Sequence, residues 1–149
     1  MARILYGVSG EGLGHASRAH EVINYLETRG HQVKVISYDK GYSSLRPFFD
    51  IHKIFGLRFD CQNNQVRYFP TVWKNLMHLP EAAESIEKVL KLCKEFRPNI
   101  VFSDFEPIAG IVARMRRLPL LSIDNQHVLT NTDVEYPKKY TQEAIVAKA

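Results

Sequence analysis

The first 38 residues constrain this chain more than any other stretch, because they read strand, glycine loop, helix, strand. Ile4-Leu5-Tyr6-Gly7-Val8 is a short apolar run of the kind found in buried parallel strands. It runs into Ser9-Gly10-Glu11-Gly12-Leu13-Gly14, where three glycines in five residues rule out a regular element. From His15, the residues Ala16, Ala19, Val22, Ile23 and Leu26 recur at helical spacing, and Gly30 stands where a helix commonly stops. Val33-Lys34-Val35-Ile36-Ser37-Tyr38 is a second strand. Two parallel strands joined by a helix form a right-handed βαβ unit.

The alternation continues. Residues 43–49 read as a short helix and residues 51–55 as a third strand. Residues 56–70 read as a polar insertion, with Val66-Arg67-Tyr68-Phe69 as a small extra strand, and residues 71–79 as a short helix. A long helix follows, opened by Pro80, presenting Ala83, Ile86, Val89, Leu90 and Cys93 on one face, and stopped by Pro98. Ile100-Val101-Phe102-Ser103 is a fourth strand ending at Asp104, and Pro107 opens a helix that reaches Leu118. Residues 120–123 are a fifth strand, and residues 141–149 begin another helix. This pattern predicts an α/β fold, Rossmann-like and doubly wound, with a mostly parallel sheet.

With 149 residues the chain fits one domain, and 45% apolar with 24% charged residues is ordinary for a globular protein. No stretch has the roughly 18 consecutive apolar residues of a membrane span, and the N-terminus lacks a signal-peptide pattern. A cytoplasmic protein is expected. Cys61 and Cys93 lack metal-motif spacing and fit a reducing compartment or a single disulfide. The net charge of +4 comes from scattered basic residues, so no nucleic-acid partner is expected. Arg114, Arg116 and Arg117 form the densest cluster, either a solvated helix end or a patch for anionic lipid or phosphate. His20, His31, His52, His78 and His127 show no metal-ligand spacing, and no metal is expected.

Gly10, Gly12 and Gly14 let the backbone approach a ligand, and the following helix offers unpaired N–H groups to an anion or a developing negative charge. The loop is not a P-loop, since no Gly-Lys-Ser/Thr follows. A dinucleotide fingerprint requires Gly or Ala at the sixth position, where this chain has His15. Asp39 can still imitate the ribose-binding acid of such sites, which keeps an NAD(P)-dependent oxidoreductase domain as an alternative. A non-catalytic α/β ligand-binding module is a further alternative.

The run Gly10-Glu11-Gly12-Leu13-Gly14-His15-Ala16-Ser17-Arg18 resembles the first glycine loop of B-type glycosyltransferases. The likeness is to the branch of the peptidoglycan N-acetylglucosaminyltransferase and the monogalactosyldiacylglycerol synthases. Within that branch it is similar to the glycosyltransferase-related proteins of bacteria and archaea. Ser103-Asp104-Phe105-Glu106-Pro107 and Ile123-Asp124-Asn125-Gln126-His127 fit that group as well, so the resemblance covers nearly the whole chain. The peptidoglycan branch has Gly-Gly before its His and a Pro soon after. Here Leu13 and Arg18 intervene, which points to a different acceptor.

The resemblance implies that residues 1–149 are an N-terminal, acceptor-side Rossmann-like domain, incomplete and inactive alone. A C-terminal domain outside this chain would bind the donor. It implies sugar transfer from a nucleotide sugar, itself a substrate and not a cofactor, to a sugar, lipid or small-molecule hydroxyl. The acceptor can belong to the cell envelope, with the enzyme peripheral on the inner membrane face. The implied substrate-binding residues are Gly10, Gly12, Gly14, Arg18, Asn125, Gln126 and His127. Such transfer needs a base for the acceptor hydroxyl, and histidine fits that task with little tuning. The resemblance implies a His–Asp pair, here His15 with Asp104, with Asp104 or Glu106 as alternative bases. His15 at a helix start also suits packing of the loop, and Asp104 suits capping of the next helix. A histidine base favours inversion at the sugar. Tyr68, Phe69, Trp73, Leu76 and Met77 concentrate apolar bulk, either as packing or as an acceptor- or lipid-facing surface.

Overall fold

The computed structural model describes residues 1–56, 61–62, 65–66 and 78–123. In chain order the elements are β1 (Arg3–Val8), α1 (Gly14–Thr28), β2 (Gln32–Ser37), α2 (Asp39–Leu45), β3 (Ile51–Lys53), β4 (Cys61–Gln62) and β5 (Gln65–Val66). Then follow α3 (Leu79–Phe96), β6 (Ile100–Asp104), α4 (Pro107–Arg116) and β7 (Leu120–Ser122). Five strands form one sheet in the order β3-β2-β1-β6-β7, and every pair in it is parallel. β4 and β5 pair separately as a short antiparallel ladder.

Strand alternation divides the core in two. Leu5, Ile36 and Val101 face one side, where they meet Val89 and Cys93 of α3 and Ile108 and Val112 of α4. Ile4, Tyr6, Val8, Val33 and Val35 face the other side, against Ala16, Ala19 and Ile23 of α1 and Leu45 of α2. Helices therefore cover both faces, as the doubly wound expectation requires. Cys93 is a buried free thiol, and burial pushes it above the ordinary cysteine range.

The chain leaves β1 toward β2 on one side and later returns to β6 on the other. The break in strand order falls between β1 and β6, and ligands of open α/β sheets bind beyond the carboxyl ends of the strands at such a point. Val8 and Asp104 are register partners there, and the amide of Ser9 donates to the carbonyl of Asp104 at 2.9 Å.

Three sequence expectations shift. The short helix expected over residues 43–49 lies at Asp39–Leu45, because Gly41 lets it settle against Ser37 and the Ser9 carbonyl. A Cβ at residue 41 would stand 2.4 Å from the Ser37 hydroxyl oxygen. The third strand ends at Lys53 and the fifth at Ser122. The helices expected over residues 71–79 and 141–149, and Tyr68, Phe69, Trp73, Leu76 and Met77, fall wholly or largely outside the described residues. Among the described residues, no helix is long and apolar enough to cross a membrane.

Candidate active site

The glycines of the loop have separate causes. Gly10 is a close approach: a Cβ there would lie 2.4 Å from the carbonyl oxygen of Tyr38 and 2.5 Å from its ring. Gly12 has a φ of +85°, a conformation that L side chains rarely adopt. Gly14 opens α1, and the space over it is clear within 4 Å. The N-cap residue of α1 is Leu13, whose apolar side chain makes no capping hydrogen bond.

His15 lies in the first turn of α1. Its Nδ1 is 2.6 Å from Oδ1 of Asp104, 89 positions later in sequence. Asp104 ends β6 with its side chain on the α1 face, in step with Ile100 and Phe102. Its side chain is 0% exposed and that of His15 is 27% exposed. A carboxylate this deep requires donors. Among the described residues it has three: Nδ1 of His15, Nε of Arg18 at 2.9 Å on Oδ2, and Nη2 of Arg18 at 2.5 Å on Oδ1. An N–H···O⁻ contact of 2.6 Å requires Nδ1 to carry the hydrogen. The neutral ring then holds its lone pair on Nε2, on the side away from the carboxylate. The Phe105 ring stacks on His15 with centroids 5.9 Å apart and planes 9° apart. Tyr6 is buried on the same face of the sheet, and its hydroxyl has no hydrogen-bond partner among the described residues. Burial first, then the charge of Asp104, pushes its phenol far above the ordinary range.

Glu106 is not at this rim, which corrects its expected place beside Asp104. A continuing strand would put residues 104 and 106 on one face. Phe105, at a φ of +53°, breaks the alternation and sends Glu106 to the α4 face. There it is 1% exposed and caps α4, accepting from the Ile108 amide at 3.0 Å and the Ala109 amide at 2.6 Å. Gly7 makes room for it: a Cβ at residue 7 would stand 3.0 Å from Oε2 of Glu106 and 2.5 Å from Cβ of Ala109. Burial raises the Glu106 carboxyl to about 7, against the lowering effect of the two amides.

Arg18, expected to bind substrate, is engaged with Asp104. Sequence reading missed that pairing, although an arginine one turn after a histidine was a readable sign of a shared anion. Asn125, Gln126 and His127 lie outside the described residues. No group of three His, Cys, Asp or Glu side chains among the described residues is arranged to hold a metal ion.

A buried carboxylate held against a partly exposed imidazole suits proton removal from a hydroxyl. The sequence profile of glycosyl transferase family 1 matches residues 2–149. The chain belongs to that family. An uncharacterized glycosyltransferase of Methanosarcina mazei is 30% identical over 135 residues, covering 83% of this chain and 33% of the relative. The chain thus spans about a third of the length of the curated relatives it matches. Among solved structures, MurG of Acinetobacter baumannii is similar with a TM-score of 0.56 and 17% identity, over 82% of this chain and 34% of that one. The spinosyn rhamnosyltransferase SpnG is similar with a TM-score of 0.60 and 15% identity, over 82% and 34%. SpnG has been solved with its spinosyn aglycone and with thymidine diphosphate. These structures share the fold, which is that of B-type glycosyltransferases. Membership of glycosyl transferase family 1 favours sugar transfer over the oxidoreductase and binding-module alternatives.

Proposed function

We propose that this chain is the acceptor-side domain of a nucleotide-sugar-dependent glycosyltransferase in which His15 is the general base. The observation that carries the reading is the 2.6 Å contact between His15 Nδ1 and Asp104 Oδ1 at the break in strand order. Asp104 orients the ring and stabilises its protonated form, and Nε2 accepts the proton of the acceptor hydroxyl. The acceptor oxygen then bonds to the anomeric carbon. The bond from that carbon to the nucleoside diphosphate breaks, and its electron pair leaves with the phosphate. A single displacement of this kind inverts the anomeric centre.

The proposal includes a separate C-terminal donor-binding domain, which fits a chain that spans a third of its relatives' length. No cofactor is part of it. The acceptor class proposed is a lipid or cell-envelope hydroxyl met at the cytoplasmic membrane face, supported by the resemblance to the peptidoglycan branch. The full-length protein, incubated with a panel of UDP- and dTDP-sugars, should release nucleoside diphosphate. His15→Ala should lower kcat by about 10²- to 10⁴-fold. Wild-type turnover in that variant removes His15 as the base, and no release from any donor by the wild-type protein overturns the transferase reading.

A further inference from the structure

Arg18 stands one turn beyond His15 on α1, a spacing that puts both on one helix face. Its guanidinium grips both oxygens of Asp104, through Nε to Oδ2 and Nη2 to Oδ1. Nη2 also donates to the Ile123 carbonyl at 3.3 Å. The fork is thereby tied to the end of β7 as well as to β6. Two parallel N–H···O bonds fix the plane of a carboxylate, which a lysine ammonium cannot do. Nη2 is also 3.4 Å from Nδ1 of His15. That nitrogen donates its hydrogen to Asp104, so it has no lone pair for the guanidinium. The contact sets a cation against the ring and opposes a second positive charge there.

We propose that Arg18 is a positioning residue: it clamps Asp104 in the plane that holds the His15 Nδ1–H tautomer, and its charge opposes a second positive charge on the ring. The inference rests on the reading of His15 as the base. The groups around the ring are Asp104 from β6, Arg18 from α1 and the Phe105 ring. Tyr6 of β1 senses both Asp104 and Arg18, and its phenol stays neutral over the working range. Glu106 belongs to the opposite face.

The test compares Arg18→Lys and Arg18→Gln in the full-length protein by donor turnover and by nitrogen-15 NMR of the His15 ring across pH. Both variants should lose about tenfold to a hundredfold in kcat, the worth of a charge-assisted hydrogen bond, with KM unchanged. In Arg18→Gln the acid limb of kcat should move up, because a neighbouring cation is gone. In Arg18→Lys the charge remains, so the limb should stay while kcat falls. Arg18→Lys also keeps a counterion beside Asp104, so it decides the matter if the glutamine variant fails to fold. A raised KM with intact kcat overturns the proposal and makes Arg18 a substrate ligand. An unchanged His15 tautomer in the folded variants, or an unmoved acid limb in Arg18→Gln, overturns it whatever the turnover. The NMR readout does not depend on sugar transfer, so a failure of the base reading is seen separately, in His15→Ala.

Discussion

Asp104 and Glu106 are two residues apart and equally buried, yet they do opposite work. Asp104 faces α1, where an arginine fork and an imidazole meet it and compensate its charge. Glu106 faces α4, where among the described residues two backbone amides meet it and its carboxyl rises to about 7. One acid is met at the strand edge by an imidazole and an arginine fork, where we propose that it orients the base. The other closes a helix and titrates near neutrality. The difference comes from the surroundings, since depth alone disfavours both charges. Burial thus marks neither acid as functional. The partners do.

The comparison breaks most severely at Asp104. Asp104→Asn keeps the shape but offers His15 an amide, which stabilises the wrong tautomer. We expect kcat in the full-length protein to fall by roughly 10³- to 10⁴-fold, as for an analogous Asp-to-Asn change in a serine-protease triad. A loss under tenfold would show that the carboxylate does not serve the base.

Glu106→Gln is next. The folded carboxyl lies above its ordinary 4.5, so its stabilising contribution is complete below that pH and disappears as pH rises through about 7. Between those limits wild-type stability should drop by about 3 kcal/mol from this group, and the glutamine variant should lack that slope. Urea denaturation at several pH values measures both, and parallel profiles for the two proteins would refute the assignment. Donor turnover should change little, because Glu106 is on the far face.

The smallest effects separate the loop glycines. Gly10→Ala drives a methyl into the Tyr38 carbonyl and should lower stability by about 1–3 kcal/mol. Gly14→Ala meets open space at a helix start and should raise stability by up to about 1 kcal/mol. Thermal melts of both variants check the pair. Similar destabilisation in both would show that the space over Gly14 is filled.

Much of the fold was legible because apolar runs and helical spacing are local signals. Ile4 to Val8, the helix ending at Gly30 and the strand ending at Asp104 all declare themselves in sequence. The meeting of His15 with Asp104 was legible for a topological reason: parallel strands deliver their carboxyl ends to one edge. What escaped depends on single dihedrals and long-range packing. Phe105 enters the left-handed region without being a glycine, so nothing in its identity forecasts that Glu106 changes sides. The shift of α2 depends on Gly41 fitting against Ser9 and Ser37, which are not its sequence neighbours.

The 89-position separation of His15 and Asp104 has a consequence for the order in which the site assembles. During synthesis, at about 5–20 residues per second, the histidine emerges seconds before its acid exists. The two meet only after the sixth strand docks beside the first, a non-local closure with an entropic cost that precedes any gain. A half-built chain therefore holds an unoriented imidazole, and the pair is assembled only when the central strands β1 and β6 have closed.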